Sequence, residues 1–386
     1  MVENSEKKEP LNKNNKVPKL RFKEFLSSVW EEIKLSDITV RITRKNKDNL
    51  PMLPLTISAQ EGLISQYDYF DKKIASLNLS TYYVLKEGEF AYNRSYSNGY
   101  PYGAIKRLDK YKEGVLSSLY ICFNIHGIDS NFLCYYFDSN KWNSEVKIIS
   151  GEGARNHGLL NLSPEEFFNI KIFKPFLIEE QRKISKFLNL LYVKEKIVSK
   201  KIAILKKYKK GVIKDLIKKA KKSVDFLDLV YPCEKTGLLS SDGKSKGKYK
   251  FFINSSNEET KWIDDYIFDG EYLILNTGGS AYTNYINGKF SAMSDCLVLK
   301  LLSHSISLYY WLKSEESRIN QKGFQGTGLR HLDINWLLRQ KVKLIEYDSQ
   351  KLYALNDDLN CLIRMNELML AKLNKLKAFF LNNMFI

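Results

Sequence analysis

Residues 179–222 read EEQRKISKFLNLLYVKEKIVSKKIAILKKYKKGVIKDLIKKAKK, and the spacing of their apolar side chains decides the fold. There is no proline, and the single glycine is Gly211. Ile184, Leu188, Leu191, Val198, Ile202, Leu205, Val212 and Leu216 recur at alternating steps of four and three, with Glu195 and Lys209 in the two gaps. That is a heptad seam, a strip wide enough for one partner helix. At ~1.5 Å per residue, the stretch predicts a rod of roughly 60 Å.

The partner lies in the same chain. Adding 168 to each number gives a second seam at the C-terminus: Leu352, Asn356, Leu359, Ile363, Asn366, Leu370, Leu373, Lys377, Phe380 and Met384. Lys209 falls on Lys377, so even an interruption recurs. A long-period repeat outranks local signals when architecture is assigned. The fold expected is α+β: two globular modules with small β-sheets and helices, held apart by two long antiparallel helices, with a pseudo-twofold internal repeat.

Outward from the seams the chain divides into five parts. Residues 1–16 are a polar leader expected to be disordered. Residues 17–178 form a first module, 179–222 the first long helix, 223–347 a second module and 348–386 the second long helix. SVDFLDLV repeats the register of IKLSDI, with Phe226, Asp228 and Leu229 on Leu35, Asp37 and Ile38. Each module ends in the same order of parts. NKWNSEVKIIS, GEGARNHGLLNLS and FFNIKIFKP in the first answer to SEESRINQ, GFQGTGLRHLDIN and LLRQKVKLIE in the second. Each reads as a helix, a glycine-rich basic loop, and a strand entering the long helix.

Composition narrows the partners. The 386 residues are 44% hydrophobic, so the chain is globular. Its formal net charge is +17, which points to a polyanion, nucleic acid before an acidic membrane. Tyrosine, at 24 residues, suits phosphate contact and base stacking. The five cysteines and four histidines have no metal-ligand spacing, so no metal site is expected. No apolar run approaches the length of a membrane span, and the start of the chain lacks a secretory signal; the expectation is a cytoplasmic protein with no membrane partner. Thirteen lysines between Lys194 and Lys222, against Glu195 and Asp215, form either a solvated face or a guide for DNA or an acidic partner.

Two pairs of loops carry the candidate chemistry. In GEGARNHGLL and GFQGTGLRHL, glycines let backbone N–H groups approach a phosphate, and arginine adds charge-assisted contacts. These assign Gly153, Arg155, Asn156, His157, Gly326, Thr327, Gly328, Arg330 and His331 to backbone contact; the alternative is a pair of self-satisfied turns. FAYNRSYSNGYPYGAIKRL and LNTGGSAYTNYINGKF occupy matching places earlier in each module. Asn pairs bidentately with adenine and Arg with guanine. Tyr92, Asn93, Arg94, Tyr96, Asn98, Tyr100, Asn276, Ser280, Tyr282, Thr283 and Asn284 are therefore candidates for base readout. Ser58, Gln60, Ser255, Ser256 and Asn257 are weaker DNA candidates.

The search for catalytic residues is empty. TGLLSSDGKS spaces its glycines wrongly for a phosphate loop, and the chain has no adenine-methyltransferase tetrapeptide, HExxH or GxSxG. A basic, two-lobed chain without active-site motifs reads as a recognition subunit; a coiled-coil scaffold with protein- or RNA-binding lobes is the alternative.

The chain resembles the specificity subunit of type I restriction–modification enzymes. The residues that carry the resemblance are VPKLRFKEF with Trp30, LPLTISAQEGLISQYDYF, YNRSYSNGYPYGAIKR, GARNHGLLNLSPEEFFNIKIFKP and IEEQRKISKFL, then GKYKFFINSS and YIFDGEYLILNTGG. They span residues 17–386. The second repeat departs from the pattern, reading YDSQKLYAL where the first has IEEQRKISKF. The resemblance implies two inverted target recognition domains, each reading half of a split double-stranded DNA site, with the helices setting the gap. It implies docking of two methylation subunits and of motor–nuclease restriction subunits. S-adenosylmethionine, ATP and Mg would belong to those partners, leaving no cofactor and no catalysis in this chain.

Overall fold

A computed structural model describes residues 17–50, 52–69, 78–97, 99–150, 158–255, 261–302, 305–345 and 349–386. The leader at 1–16 lies outside the described residues. The chain forms two compact units, residues 1–197 with 370–386, and residues 198–369. Both long helices are present, Ile178–Lys219 with 42 residues and Ser349–Asn383 with 35. Each contributes residues to both units, so the division falls inside the helices.

The heptad positions are turned inward. Ile184, Leu188, Val198, Ile202, Leu359, Ile363, Asn366, Leu373 and Met384 are all buried. In the first unit Phe187 meets Phe380 edge to face at 4.7 Å between ring centres, and Lys377 Nζ donates to Glu195 Oε2 at 3.0 Å. In the second unit Lys206 pairs with Glu367 at 2.8 Å and Lys209 Nζ donates to Asn360 Oδ1 at 2.5 Å. Numbers rise on one helix as they fall on the other, so the pairing is antiparallel in each unit. The two charged interruptions, Glu195 and Lys377, answer one another.

The first unit is built on β1 (Trp30–Lys34), β2 (Thr39–Ile42), β3 (Leu55–Ser58), β4 (Gly62–Ser65), β5 (Tyr83–Lys86), β6 (Phe90–Asn93), β7 (Ala104–Arg107), β8 (Glu113–Leu116), β9 (Ile121–Ile125) and β10 (Lys171–Pro175). β1 pairs antiparallel with β10, and the central sheet runs β2–β9–β6–β7. Period-two alternation buries both faces of that sheet. Phe90, Tyr92 and Phe123 point into a core with Phe132, Tyr136 and Trp142. Ala91 and Cys122 point the other way, into a core with Leu55, Leu85 and Leu116.

The second unit repeats this plan with β11 (Lys222–Asp225), β12 (Val230–Pro232), β13 (Tyr249–Phe252), β14 (Lys261–Ile263), β15 (Glu271–Asn276), β16 (Thr283–Asn287), β17 (Phe290–Ala292), β18 (Cys296–Leu301), β19 (Phe324–Gln325), β20 (His331–Leu332) and β21 (Lys341–Leu344). β11 pairs with β21 as β1 does with β10, and the sheet β12–β18–β15–β16 matches β2–β9–β6–β7 strand for strand. Its faces likewise split, Leu273, Leu275 and Leu299 to one core and Tyr272, Ile274 and Val298 to another. Short helices close both repeats: Pro164–Phe168, whose N-cap Ser163 accepts from Glu166 N, and Ile334–Leu338, where Asp333 accepts from Trp336 N.

The N-terminus of the first long helix is locked into its unit. Glu180, fully buried, accepts two bonds from Arg21, at 2.8 and 2.7 Å, one from Ser28 Oγ at 2.9 Å and one from Trp30 Nε1 at 3.2 Å. The neighbouring Gln181 accepts from Asp129 N at 2.9 Å and donates to Pro175 O at 2.9 Å. The end of the second long helix enters the same core. Phe385 packs on Phe132 and Tyr136, and Leu20 N donates to Asn383 O at 2.9 Å. The motif IEEQRKIS is thus a fastening for residues 20–30 onto the helix.

Candidate nucleic-acid interface

In each unit the loop after the central strand is stitched to the far side of the glycine-rich segment. In the first unit Leu160 N donates to Arg94 O at 3.1 Å and Tyr96 N to Gly158 O at 3.4 Å, while Ser95 bridges Leu159. In the second, Leu332 N donates to Thr277 O at 2.8 Å and Gly279 N to Arg330 O at 2.9 Å, while Gly278 bridges His331. Two stretches far apart in sequence, singled out for readout and for backbone contact, therefore form one edge in each repeat.

The second unit shows the whole of this edge. A π-turn at Ile319–Gly323 leads into β19, and β19 pairs with β20 to make a hairpin whose tip is Gly326–Leu329. Gly323 allows close approach of the Trp336 indole: a Cβ there would lie 2.7 Å from a ring carbon. Gly326 takes φ +120°, which a side chain resists. Gly326, Thr327, Gly328 and His331 are exposed, as backbone-contacting groups must be, and Leu329 beside them is 72% exposed.

Arg330 is not a free clamp. Its Nη2 donates to Phe324 O at 2.7 Å and also to Asn320 O, so the guanidinium holds the hairpin to the π-turn. Arg94 does the same in the first unit, donating to Leu162 O at 2.5 Å and Leu119 O at 3.3 Å. Both arginines shape the edge instead of extending from it, which corrects the expectation that Arg94 reads a base and Arg330 grips a phosphate.

Burial removes further candidates. Tyr92 is fully buried, stacked on Phe167 at 4.6 Å, and its hydroxyl donates to Tyr102 O at 2.8 Å. Burial pushes that phenol well above its ordinary pKa. Asn276 and Thr283 are buried at facing ends of β15 and β16. Ser58 is buried, and its Oγ accepts from Glu61 N at 3.2 Å. None of these four presents a side chain to a ligand.

Others stay accessible. Asn93, Tyr96 and Tyr100 are half-buried; Asn93 Oδ1 accepts from Ser95 N at 3.0 Å, fixing the turn. Ser280, Tyr282 and Asn284 are half-buried on the matching loop, and Lys313 Nζ sits 4.4 Å from the Tyr282 ring centre. Ser255 is half-buried at the end of the β13 segment. Gln60 is exposed but lines a 220 Å³ hollow with Lys106, Asp138 and Tyr192, away from the loop pair. Asn98, Gly153, Arg155, Asn156, His157, Ser256 and Asn257 lie outside the described residues.

Two asparagines hold the second edge together: Asn254, at the start of the weaker DNA-candidate stretch, and Asn320, which sequence reasoning missed. Asn254 Oδ1 accepts from Thr277 N at 3.1 Å, and Asn320 Oδ1 accepts from Ala281 N at 2.6 Å. For Asn320 the available signal was its place inside SRINQ, at the start of the glycine-rich phrase. Among the described residues no group of three or more His, Cys, Asp or Glu is placed to hold a metal, and no helix is long and apolar enough to cross a membrane.

Comparison with known proteins gives the arrangement relatives. Residues 213–378 match the model for the type I restriction modification DNA specificity domain. A crystal structure of the S subunit of a type I restriction–modification system from M. genitalium superposes with a TM-score of 0.61, covering 96% of this chain and 99% of that one at 12% identity. The stretch 213–378 is thus similar to the type I specificity domain, and the fold of the whole chain is similar to that of a solved type I S subunit. A putative type I specificity subunit from Mycoplasma pneumoniae is 39% identical over 69 residues, 17% of this chain and 19% of that protein, so the match spans about a fifth of that relative. A structure from work on complex assembly and conformational transition of the type I R-M system shares the fold, with a TM-score of 0.56 at 13% identity over 92% of this chain and 96% of that one. The α+β fold of those structures, with two long helices and repeated units, is therefore the fold of this chain.

Proposed function

We propose that this chain is a type I specificity subunit that reads a bipartite double-stranded DNA target, one half with each repeat, and is itself non-catalytic. The observation that carries the reading is the recurrence of one composite edge in both units, where the loop after the central strand is bonded to the glycine-rich segment. Base contacts come from accessible polar groups on that loop, such as Asn93, Tyr96, Ser280 and Asn284. Backbone contacts come from the exposed tip, Gly326, Thr327 and Gly328, with His331. Net charge of +17 supplies the long-range attraction and the salt dependence that goes with it. The length of the paired helices sets the distance between half-sites.

Partner docking has its own support. Besides the buried seam, each long helix carries a second apolar strip left exposed. Leu190, Val193, Ile197, Ile204 and Tyr208 follow heptad steps on the first helix, and Leu355, Leu362, Met365, Met369, Leu376 and Phe379 do so on the second. Exposed apolar strips of this length mark protein interfaces. They suit helices of two methylation subunits, which bring S-adenosylmethionine, with the motor–nuclease subunits and their ATP and Mg joining that core in the cytoplasm.

The test is a map of methylated adenines in DNA from cells expressing this chain with a cognate methylation subunit. A single split motif with a fixed gap, methylated in both halves, is the expected result. A stable complex that deposits no chain-dependent methylation would overturn the reading.

A further inference from the structure

Within the second unit, the helix Ser305–Arg318 and the two long helices border an open groove of about 810 Å³. Six cations line it: Lys206, Lys209, Lys210, Lys214, Lys313 and Arg364. Its two carboxylates, Glu316 and Glu367, are already paired, with Lys313 and Lys206, each at 2.8 Å. Four positive charges are left over. Lys209 is half-buried, bonded to the neutral Asn360, and faces the like charge of Lys313. Burial, and then Lys313, pull its ammonium below the ordinary lysine range against the weaker pull of Asp357. Cations converging on a concave wall without enough carboxylates are the arrangement that an anion stabilises.

Among the cations the lining also has apolar and aromatic surface: Tyr309, half-buried, with Ile213 and Ile363. Beside the Ser130–Asp138 helix of the first unit the hollow against the long helix is 220 Å³, and its basic residues are neutralised or bonded locally: Lys106 meets Asp138 at 2.6 Å, and Arg107 meets Asp109 at 2.6 Å and Ser130 at 2.7 Å. The volume in the second unit lies in the range of small-molecule sites, and the groove is open to solvent on the side of Lys206, Lys210, Lys214 and Arg364, so a ligand can enter.

We infer that the groove between the Ser305–Arg318 helix and the long helices binds a nucleoside polyphosphate, its phosphates on Lys209 and Arg364 and its base against Tyr309. Lysine supplies point charges to the phosphates and Arg364 a planar fork. The site adjoins the loop edge proposed to meet DNA, since Lys313 lies over both Tyr282 and Tyr309, at 4.4 and 5.8 Å from their ring centres.

Titration calorimetry on the full chain, without divalent metal, tests this with adenosine triphosphate, inorganic triphosphate, adenosine and a short DNA duplex. Saturable binding of adenosine triphosphate is expected, at least fivefold weaker binding of inorganic triphosphate, and no measurable binding of adenosine. Lys209→Gln combined with Arg364→Gln should weaken adenosine triphosphate at least tenfold, with the thermal midpoint of the free chain retained because Lys209 is only half-buried and Arg364 is exposed. Tyr309→Leu should erase the difference between adenosine triphosphate and inorganic triphosphate. The inference falls if inorganic triphosphate binds as tightly as the nucleotide, if the double variant binds unchanged, or if only the duplex binds.

Discussion

Replacing Glu180 by alanine would leave Arg21 with its guanidinium buried and unpaired, since that side chain is 4% exposed and its carboxylate partner 1%. Removing one partner of a buried, hydrogen-bonded pair costs about 3–5 kcal/mol. The Ser28 hydroxyl and the Trp30 indole lose their acceptor at the same time. Amide hydrogen exchange at the β1–β10 pair reads the effect locally: at about 1.4 kcal/mol per factor of ten, exchange there should accelerate by roughly two to three and a half powers of ten. Exchange in β15 and β18 of the second unit should be unchanged. The double replacement Arg21→Met with Glu180→Leu removes both charges together, and should recover all but the ~1–2 kcal/mol that two orphaned donors cost. Acceleration of less than tenfold in Glu180→Ala would refute the reasoning that this carboxylate holds residues 20–30 to the long helix.

Arg94→Ala removes two donors to backbone carbonyls and should destabilise the first edge by ~1–3 kcal/mol, weakening duplex binding through one half-site; equal binding to both half-sites, by fluorescence anisotropy, would contradict it. Gly323→Ala forces a methyl to within 2.7 Å of the Trp336 ring and should cost ~1–3 kcal/mol, read as a lowered thermal midpoint of the second unit. Thr327→Asp adds a negative charge at an exposed hairpin tip, so duplex affinity should fall at low salt and the loss should shrink as salt rises; a salt-independent loss would point to misfolding instead. Burial pushes the Cys122 and Cys296 thiols up to about 12. At pH 8 only about one in 10⁴ would be thiolate, so iodoacetamide should spare both and modify the exposed Cys361 first, with the order found by peptide mass spectrometry.

The long helices were legible because a heptad seam is a one-dimensional pattern, and burial follows it from Ile184 to Ile202 and from Leu359 to Met384. The repeat was legible for the same reason, through the 168-residue offset. What the pattern could not reveal is a sheet covered on both faces. In such a sheet the polar-looking FAYN and EYLILN segments are interior, so Tyr92 and Asn276 are interior too. Nor does a glycine-rich basic loop disclose which way its arginine turns. Arg94 and Arg330 turn inward because the bends they stabilise leave carbonyls at Leu162, Leu119 and Phe324 in reach. The pairing of readout loop with glycine segment is long-range, joining Arg94 to Leu160 and Thr277 to Leu332, and no local window contains it.

The packing of Phe385 on Phe132 and Tyr136 has a consequence for synthesis on the ribosome. Residues 198–369 are contiguous and have all their own contacts once residue 369 has emerged. The other unit needs residues 370–386, which are translated after it. Through all of that interval, Phe132, Tyr136 and the face of Leu188 stand without the cover that Leu381, Met384 and Phe385 provide. The half of the protein made first is therefore the half completed last, and a premature stop near residue 380 would strand it open while its sibling is already finished.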